Sequence, residues 1–179
     1  MKITGKMHDN RIRDYAIVTL FLNCGMRLSE LVSINITSIK FDEALMTVIG
    51  KGNKERTVYL NSAALASIKE YLKVRPTDGV TDEDALFLSE RKTRISRRTV
   101  QNLIKFYLKV ICGLDKNYST HKLRHTAATL MYQYGNVDIR ALQEILGHES
   151  IATTEIYTHV DNSQIRDAIE SNPLANHKS

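Results

Sequence analysis

Residues 9–23 place Ile12, Tyr15, Ala16, Thr19, Leu20 and Leu22 at helical spacing, which predicts an amphipathic helix that Gly25 can stop. A short second helix is expected over residues 28–33. Between residues 36 and 60 the texture changes to β-branched runs, Met46-Thr-Val-Ile49 and Thr57-Val-Tyr-Leu60. The intervening Gly50-Lys-Gly-Asn-Lys-Glu-Arg56 reads as a hairpin turn. Asn61 then caps a helix running toward Arg75, which Pro76 ends.

The second half is helical by the same criteria. Residues 76–85 form a polar loop whose Asp82-Glu83-Asp84 run is expected to be solvated. Residues 96–111 predict an amphipathic helix with Arg97, Arg98, Lys105 and Lys109 on its polar side. Ser119 or Thr120 caps a helix over 121–134 closed by Gly135, and a further helix over 138–146 is closed by Gly147. Short helices over 150–159 and 163–170 precede a polar tail, 172–179. With no repeat and no low-complexity linker, the expected class is α+β: mainly helical, with one small antiparallel sheet.

Composition fits this reading and adds a direction. The chain of 179 residues is 42% hydrophobic and 25% charged, ordinary values for one folded domain or two small ones. Its net charge of +5 is unevenly spread, since residues 90–124 hold ten Lys or Arg against two acids. That local balance of +8 favours a polyanionic partner; a solvated helix face is the alternative. The first ten residues lack the apolar core of a secretory signal, and no apolar run approaches the ~18–20 residues of a membrane span. Cys24 and Cys112, far apart in apolar helical contexts, read as buried free thiols of a reducing compartment. A cytoplasmic, nucleoid-associated protein with no membrane partner is expected.

Candidate chemistry begins at His121-Lys-Leu-Arg124-His125. On a helix His121 and Arg124 share a face, and His125 lies one turn from His121. Three readings stand: a zinc pair that His148 and His159 could complete, a core histidine with a capping arginine, or an anion site near a helix N-terminus. The first lacks the intervening Glu of the metalloprotease motif. Arg27 opens the second helix, another anion-friendly position, and Lys51 sits at the hairpin tip, where a flexible stem can reach into a groove.

Taken in order, Arg27-Leu-Ser-Glu-Leu31, Gly50-Lys51-Gly52, His121-x-x-Arg124-His125, Leu146-Gly147-His148 and Thr153-Thr-x-x-Tyr157-Thr158-His159 closely resemble the catalytic domain of the tyrosine recombinase (phage integrase) family. The resemblance spans residues 7–162. It implies metal-free, cofactor-free cleavage and rejoining of double-stranded DNA. Arg27 and Arg124 would grip the non-bridging phosphate oxygens, with His121 and His148 as further donors and His121 helping to move the nucleophile's proton. Lys51 would protonate the departing 5′-hydroxyl, and Tyr157 would be the nucleophile that forms a 3′-phosphotyrosine. His125 and His159 would support these groups.

Lys54, Arg56, Arg94, Arg97 and Arg98 are candidate DNA phosphate contacts on charge and position. The expected organisation is a catalytic domain over 1–162 and a C-terminal helix and tail over 163–179 that docks on a neighbouring subunit. The family's N-terminal DNA-binding domain is expected to be absent, leaving an isolated, monomeric domain where the full-length enzyme forms a tetramer on DNA. Alternatives are a type IB topoisomerase-like nicking-closing enzyme, a non-catalytic DNA-binding module of the same fold, and a metallohydrolase.

Overall fold

A computed structural model describes residues 5–113, 119–135, 139–146 and 169–174. Helix α1 (Gly5–Cys24) buries Ala16, Ile17, Leu20, Phe21 and Cys24, a stripe at three- and four-residue spacing. It begins four residues before the predicted start, and Tyr15 lies off the stripe, 45% exposed. The stripe packs against α3 (Ser62–Val74) and α5 (Thr120–Tyr134). Burial in this apolar packing pushes the Cys24 thiol up to about 12, so it stays neutral.

Between α1 and α3 lie the short helix α2 (Leu28–Val32) and three antiparallel strands, β1 (Ile39–Lys40), β2 (Leu45–Ile49) and β3 (Glu55–Tyr59), in the order β1-β2-β3. Met46 pairs with Val58 and Thr47 with Thr57; Met46, Val48 and Val58 point into the core. The predicted hairpin is present. Its turn closes through the Gly50 N–H, which donates to Lys54 O at 2.7 Å, and it needs the left-handed backbone of Gly52 (φ 72) and Asn53 (φ 61). Strand β1 is too short for alternation to reveal it. Asn61 caps α3 as expected, its Oδ1 accepting from Ala64 N at 3.0 Å.

The expected loop after α3 leads into a segment that packs inward. Leu86, Phe87, Leu88 and Ile95 are buried, and the backbone pairs at Asn35 with Ala85 and at Leu88 with Arg94. The acidic run lies at the surface as expected, and two of its carboxylates also take partners there. Asp82 accepts from Arg94 Nε at 2.7 Å, while Asp84 accepts from Thr37 N at 2.9 Å and Thr37 Oγ1 at 2.7 Å. Both carboxyls sit below their ordinary range, Asp82 chiefly through Arg94 and Asp84 chiefly through Thr37.

Helix α4 (Arg97–Cys112) starts at Ser96, whose Oγ accepts from Thr99 N at 3.1 Å, and ends at Gly113 (φ 61). Helix α5 follows Ser119, and α6 (Ile139–Leu146) is the last helix described whole. The predicted helix 150–159 lies outside the described residues, as does most of 163–170. Ile169 packs with Ala127, Met131, Ala141 and Ile145, and Asn172 Nδ2 donates to Leu22 O at 3.1 Å. These contacts seat residues 169–174 on the chain's own body. The described residues thus form the expected mainly helical α+β fold with one small antiparallel sheet.

The corner after α1 is the tightest constraint. Gly25 has φ +57, and a Cβ there would lie 2.7 Å from Leu146 Cδ2 on α6. Gly25→Ala should destabilise the fold by about 1–2 kcal/mol from backbone conformation alone, read as a lower urea midpoint with an unchanged m-value.

Candidate active site

The Gly25 corner aims the chain so that Arg27 becomes the N-cap of α2, in extended conformation at φ −76 and ψ 149. One turn on, Glu30 is fully buried, and its carboxylate reaches back to accept the Arg27 backbone N–H at 2.7 Å on Oε2 and Arg27 Nη1 at 2.9 Å on Oε1. Arg56, from β3, approaches the same carboxylate as a fork, Nε donating to Oε1 at 3.0 Å and Nη2 to Oε2 at 2.7 Å. Burial pushes the Glu30 carboxyl upward, but Arg56 and Arg27 outweigh it and hold the group below its ordinary value.

The second arginine of the sequence motifs reaches the same corner from α5. Arg124 is buried on α5; its Nη1 donates to Gly25 O at 2.6 Å and its Nη2 to Leu146 O. Arg56 Nη1 donates to Ile145 O at 2.8 Å. Two guanidinium groups therefore hold the last carbonyls of α6, which have no acceptor role within the helix and lie at its negative end. Burial, aided by the Arg27 and Arg56 charges and opposed by Glu30, lowers Arg124 to about 10. It remains a cation at neutral pH, in a place that disfavours unpartnered positive charge. Such a place favours an arriving anion.

The remaining candidates are distributed as follows. His121 and His125 are exposed on α5, and among the described residues no three His, Cys, Asp or Glu side chains converge as metal ligands. The backbone of Lys51 lies in the hairpin turn. His148, Tyr157 and His159 lie outside the described residues, as does the side chain of Lys51. Lys54 is exposed beside the hairpin, and Arg97 and Arg98 are exposed on the first turn of α4.

Arg56 and Arg94, expected from their charge as DNA contacts, turn inward instead. Arg56 is committed to Glu30 and Ile145. Arg94 pairs with Asp82 and donates to Ile34 O at 3.1 Å and Asn35 Oδ1 at 2.7 Å. Sequence reasoning also missed Glu30. Its signal was present: a carboxylate three residues after an arginine, at the start of a helix, is the spacing at which an N3 side chain reaches back to the cap.

Comparisons with known proteins give the family. The profile of the phage integrase family matches residues 1–164, and the chain belongs to that family. It is 64% identical over 163 residues to the tyrosine recombinase XerC of Caldanaerobacter subterraneus subsp. tengcongensis, covering 91% of this chain and 46% of that protein. It is 46% identical over 150 residues to XerC of Vibrio cholerae, covering 84% of this chain and 48% of the relative. Among solved structures, XerA recombinase superposes with a TM-score of 0.70 at 32% identity, over 91% of this chain and 59% of that one. XerH recombinase bound to its difH substrate superposes at 0.71 with 26% identity, over 95% and 47%. The chain spans about half the length of the curated relatives it matches.

Glu30 supplies a pH test. Its folded value is depressed, so the stability it contributes is present above its unfolded value near 4.5 and is lost as pH falls through the folded value. Unfolding free energy measured by urea titration should fall as the pH is lowered below about 4.5. The part of that fall owed to Glu30 should be missing in Glu30→Gln, which is less stable at neutral pH.

Proposed function

We propose that this chain carries the DNA-cleaving and rejoining centre of a site-specific tyrosine recombinase. The observation that carries the reading is the convergence of Arg27 and Arg124 on one corner, stabilised by a buried carboxylate and containing more positive charge than that carboxylate balances. A phosphodiester resists attack because charge builds on its oxygens, and fixed guanidinium groups in a partly dry site lower that barrier without reorganising. Family membership and the match to XerC proteins support the same reading.

In this reading the Tyr157 hydroxyl attacks the phosphorus, losing its proton with help from His121. The bond from phosphorus to the 5′-oxygen breaks, and Lys51 supplies the proton that this oxygen takes. Arg27, Arg124 and His148 hold the phosphate oxygens. The phosphotyrosine retains the bond energy, so a second 5′-hydroxyl can reverse the step and join a new strand. The DNA contacts assigned to this chain are Lys54, Arg97 and Arg98; Arg56 and Arg94 are placed in the framework by their inward hydrogen bonds. Duplex DNA is the partner and the cytoplasm the location. Residues 1–162 form the catalytic domain, and 163–179 are where subunits of a DNA-bound tetramer would join.

A nicked suicide duplex should trap a covalent protein–DNA adduct, visible as a slower band on denaturing gels. Tyr157→Phe should abolish the band, EDTA should leave it, and Arg27→Gln or Arg124→Gln should slow its appearance by about 10²–10³-fold. An adduct that survives Tyr157→Phe would overturn the nucleophile assignment.

A further inference from the structure

We infer that Arg56 is a positioning residue of the reaction, neutralising the buried Glu30 carboxylate so that Arg27 and Arg124 keep a net positive charge for the phosphate. The inference rests on the recombinase reading above but concerns a residue outside its catalytic set. Its basis is the geometry around Glu30. Among the described residues the cations paired with that carboxylate are Arg27 and Arg56. Arg56 holds both oxygens through two parallel donors, whereas the Arg27 guanidinium reaches one oxygen, Oε1, at 2.9 Å. The fork is the stronger arrangement and makes Arg56 the main counterion of Glu30.

The charge count gives this a consequence. Arg27, Arg56 and Arg124 with Glu30 sum to +2 in a partly buried volume. Remove Arg56 and the sum is +1, with the buried carboxylate left to draw on Arg27 alone among its described partners. Arg27 would then serve as counterion to Glu30 when it is needed by the phosphate. The third Arg56 donor, on Ile145 O, places this neutralising charge at the end of α6, beside the carbonyl that Arg124 holds. Its side chain is only 15% exposed, which suits an interior counterion better than a DNA contact.

The test is single-turnover cleavage of the nicked suicide duplex at saturating protein, with duplex affinity measured across salt concentrations. Arg56→Gln should slow adduct formation about a hundredfold while leaving the affinity and its salt slope unchanged. Arg56→Lys, which keeps the charge, should stay within about tenfold of the parent, and adding Glu30→Gln to Arg56→Gln should recover about tenfold. Weaker binding with a salt slope smaller by about one and an unchanged saturated rate would instead make Arg56 a phosphate contact and overturn the inference. So would equal losses in Arg56→Lys and Arg56→Gln, or no recovery in the double variant.

Failure of the recombinase reading would show separately, as a parent chain that forms no Tyr157-dependent adduct. In that event, calorimetric titration with inorganic vanadate still decides the inference. Binding weakened in Arg56→Gln and restored in the double variant supports it; binding unchanged by Arg56→Gln overturns it.

Discussion

The Glu30 carboxylate is the interaction on which the rest of the site depends. A carboxylate removed from water costs several kcal/mol unless it is paired and its lone pairs are filled. Glu30 is fully buried and accepts from Arg27 N, Arg27 Nη1, Arg56 Nε and Arg56 Nη2. Those donors come from the corner between α1 and α2 and from β3. Folding cannot bury Glu30 cheaply until the sheet and the corner have met, so the same event that completes the core also brings Arg27 to its position. The site is thereby assembled as a condition of the fold.

Arg56 and Arg124 extend that constraint to α6. Helix ends carry carbonyls without intrahelical partners, and a cation at the C-terminus satisfies both their hydrogen bonding and the helix dipole. Arg56 takes the carbonyl of Ile145 and Arg124 that of Leu146. The end of α6, directly before the Gly147-His148 pair, is fixed relative to the Gly25 corner, whose carbonyl Arg124 also holds. A change in packing at any of the three elements would be felt as misplaced charge at the other two. This explains why a glycine in left-handed conformation, closely approached by Leu146, sits at the centre of a charged site.

The sequence made the elements legible where local chemistry decides them. The α1 stripe, the Asn61 and Ser96 caps, and the Gly52–Asn53 turn all follow from neighbours a few residues apart. What it hid were ties between distant positions: Arg56 to Glu30 across 26 residues, Arg56 to Ile145 across 89, and Arg124 to Gly25 across 99. An arginine that will be buried and one that will stay in solvent look alike as letters, so Arg56 and Arg94 were grouped with Arg97 and Arg98. Asp82 and Asp84 are at the surface as expected, but their partners Arg94 and Thr37 were hidden, lying 12 and 47 residues away. The motifs of Arg27 and Arg124 were legible as a resemblance; the tie of Arg27 and Arg56 to one carboxylate, with Arg124 on the neighbouring carbonyls, was not.

The distinction between these arginines also changes what the basic segment means for a polyanion. Arg94 is paired with Asp82, so at a distance the two nearly cancel, and it adds little to the field. Arg124 donates through Nη1 and Nη2 to the neutral carbonyls of Gly25 and Leu146. A hydrogen bond to a carbonyl leaves a guanidinium its charge, whereas pairing with a carboxylate largely cancels it at a distance. In the proposed function, long-range attraction of a phosphate backbone rests on exposed cations such as Arg97 and Arg98, and the pull at short range on Arg27 and Arg124. Salt screens the first set strongly and the second weakly, because a Debye length of about 8–10 Å applies to charges in solvent and much less to those in a dry corner. Under that proposal, encounter and chemistry draw on different cations, separated by burial and by the partner each guanidinium has taken.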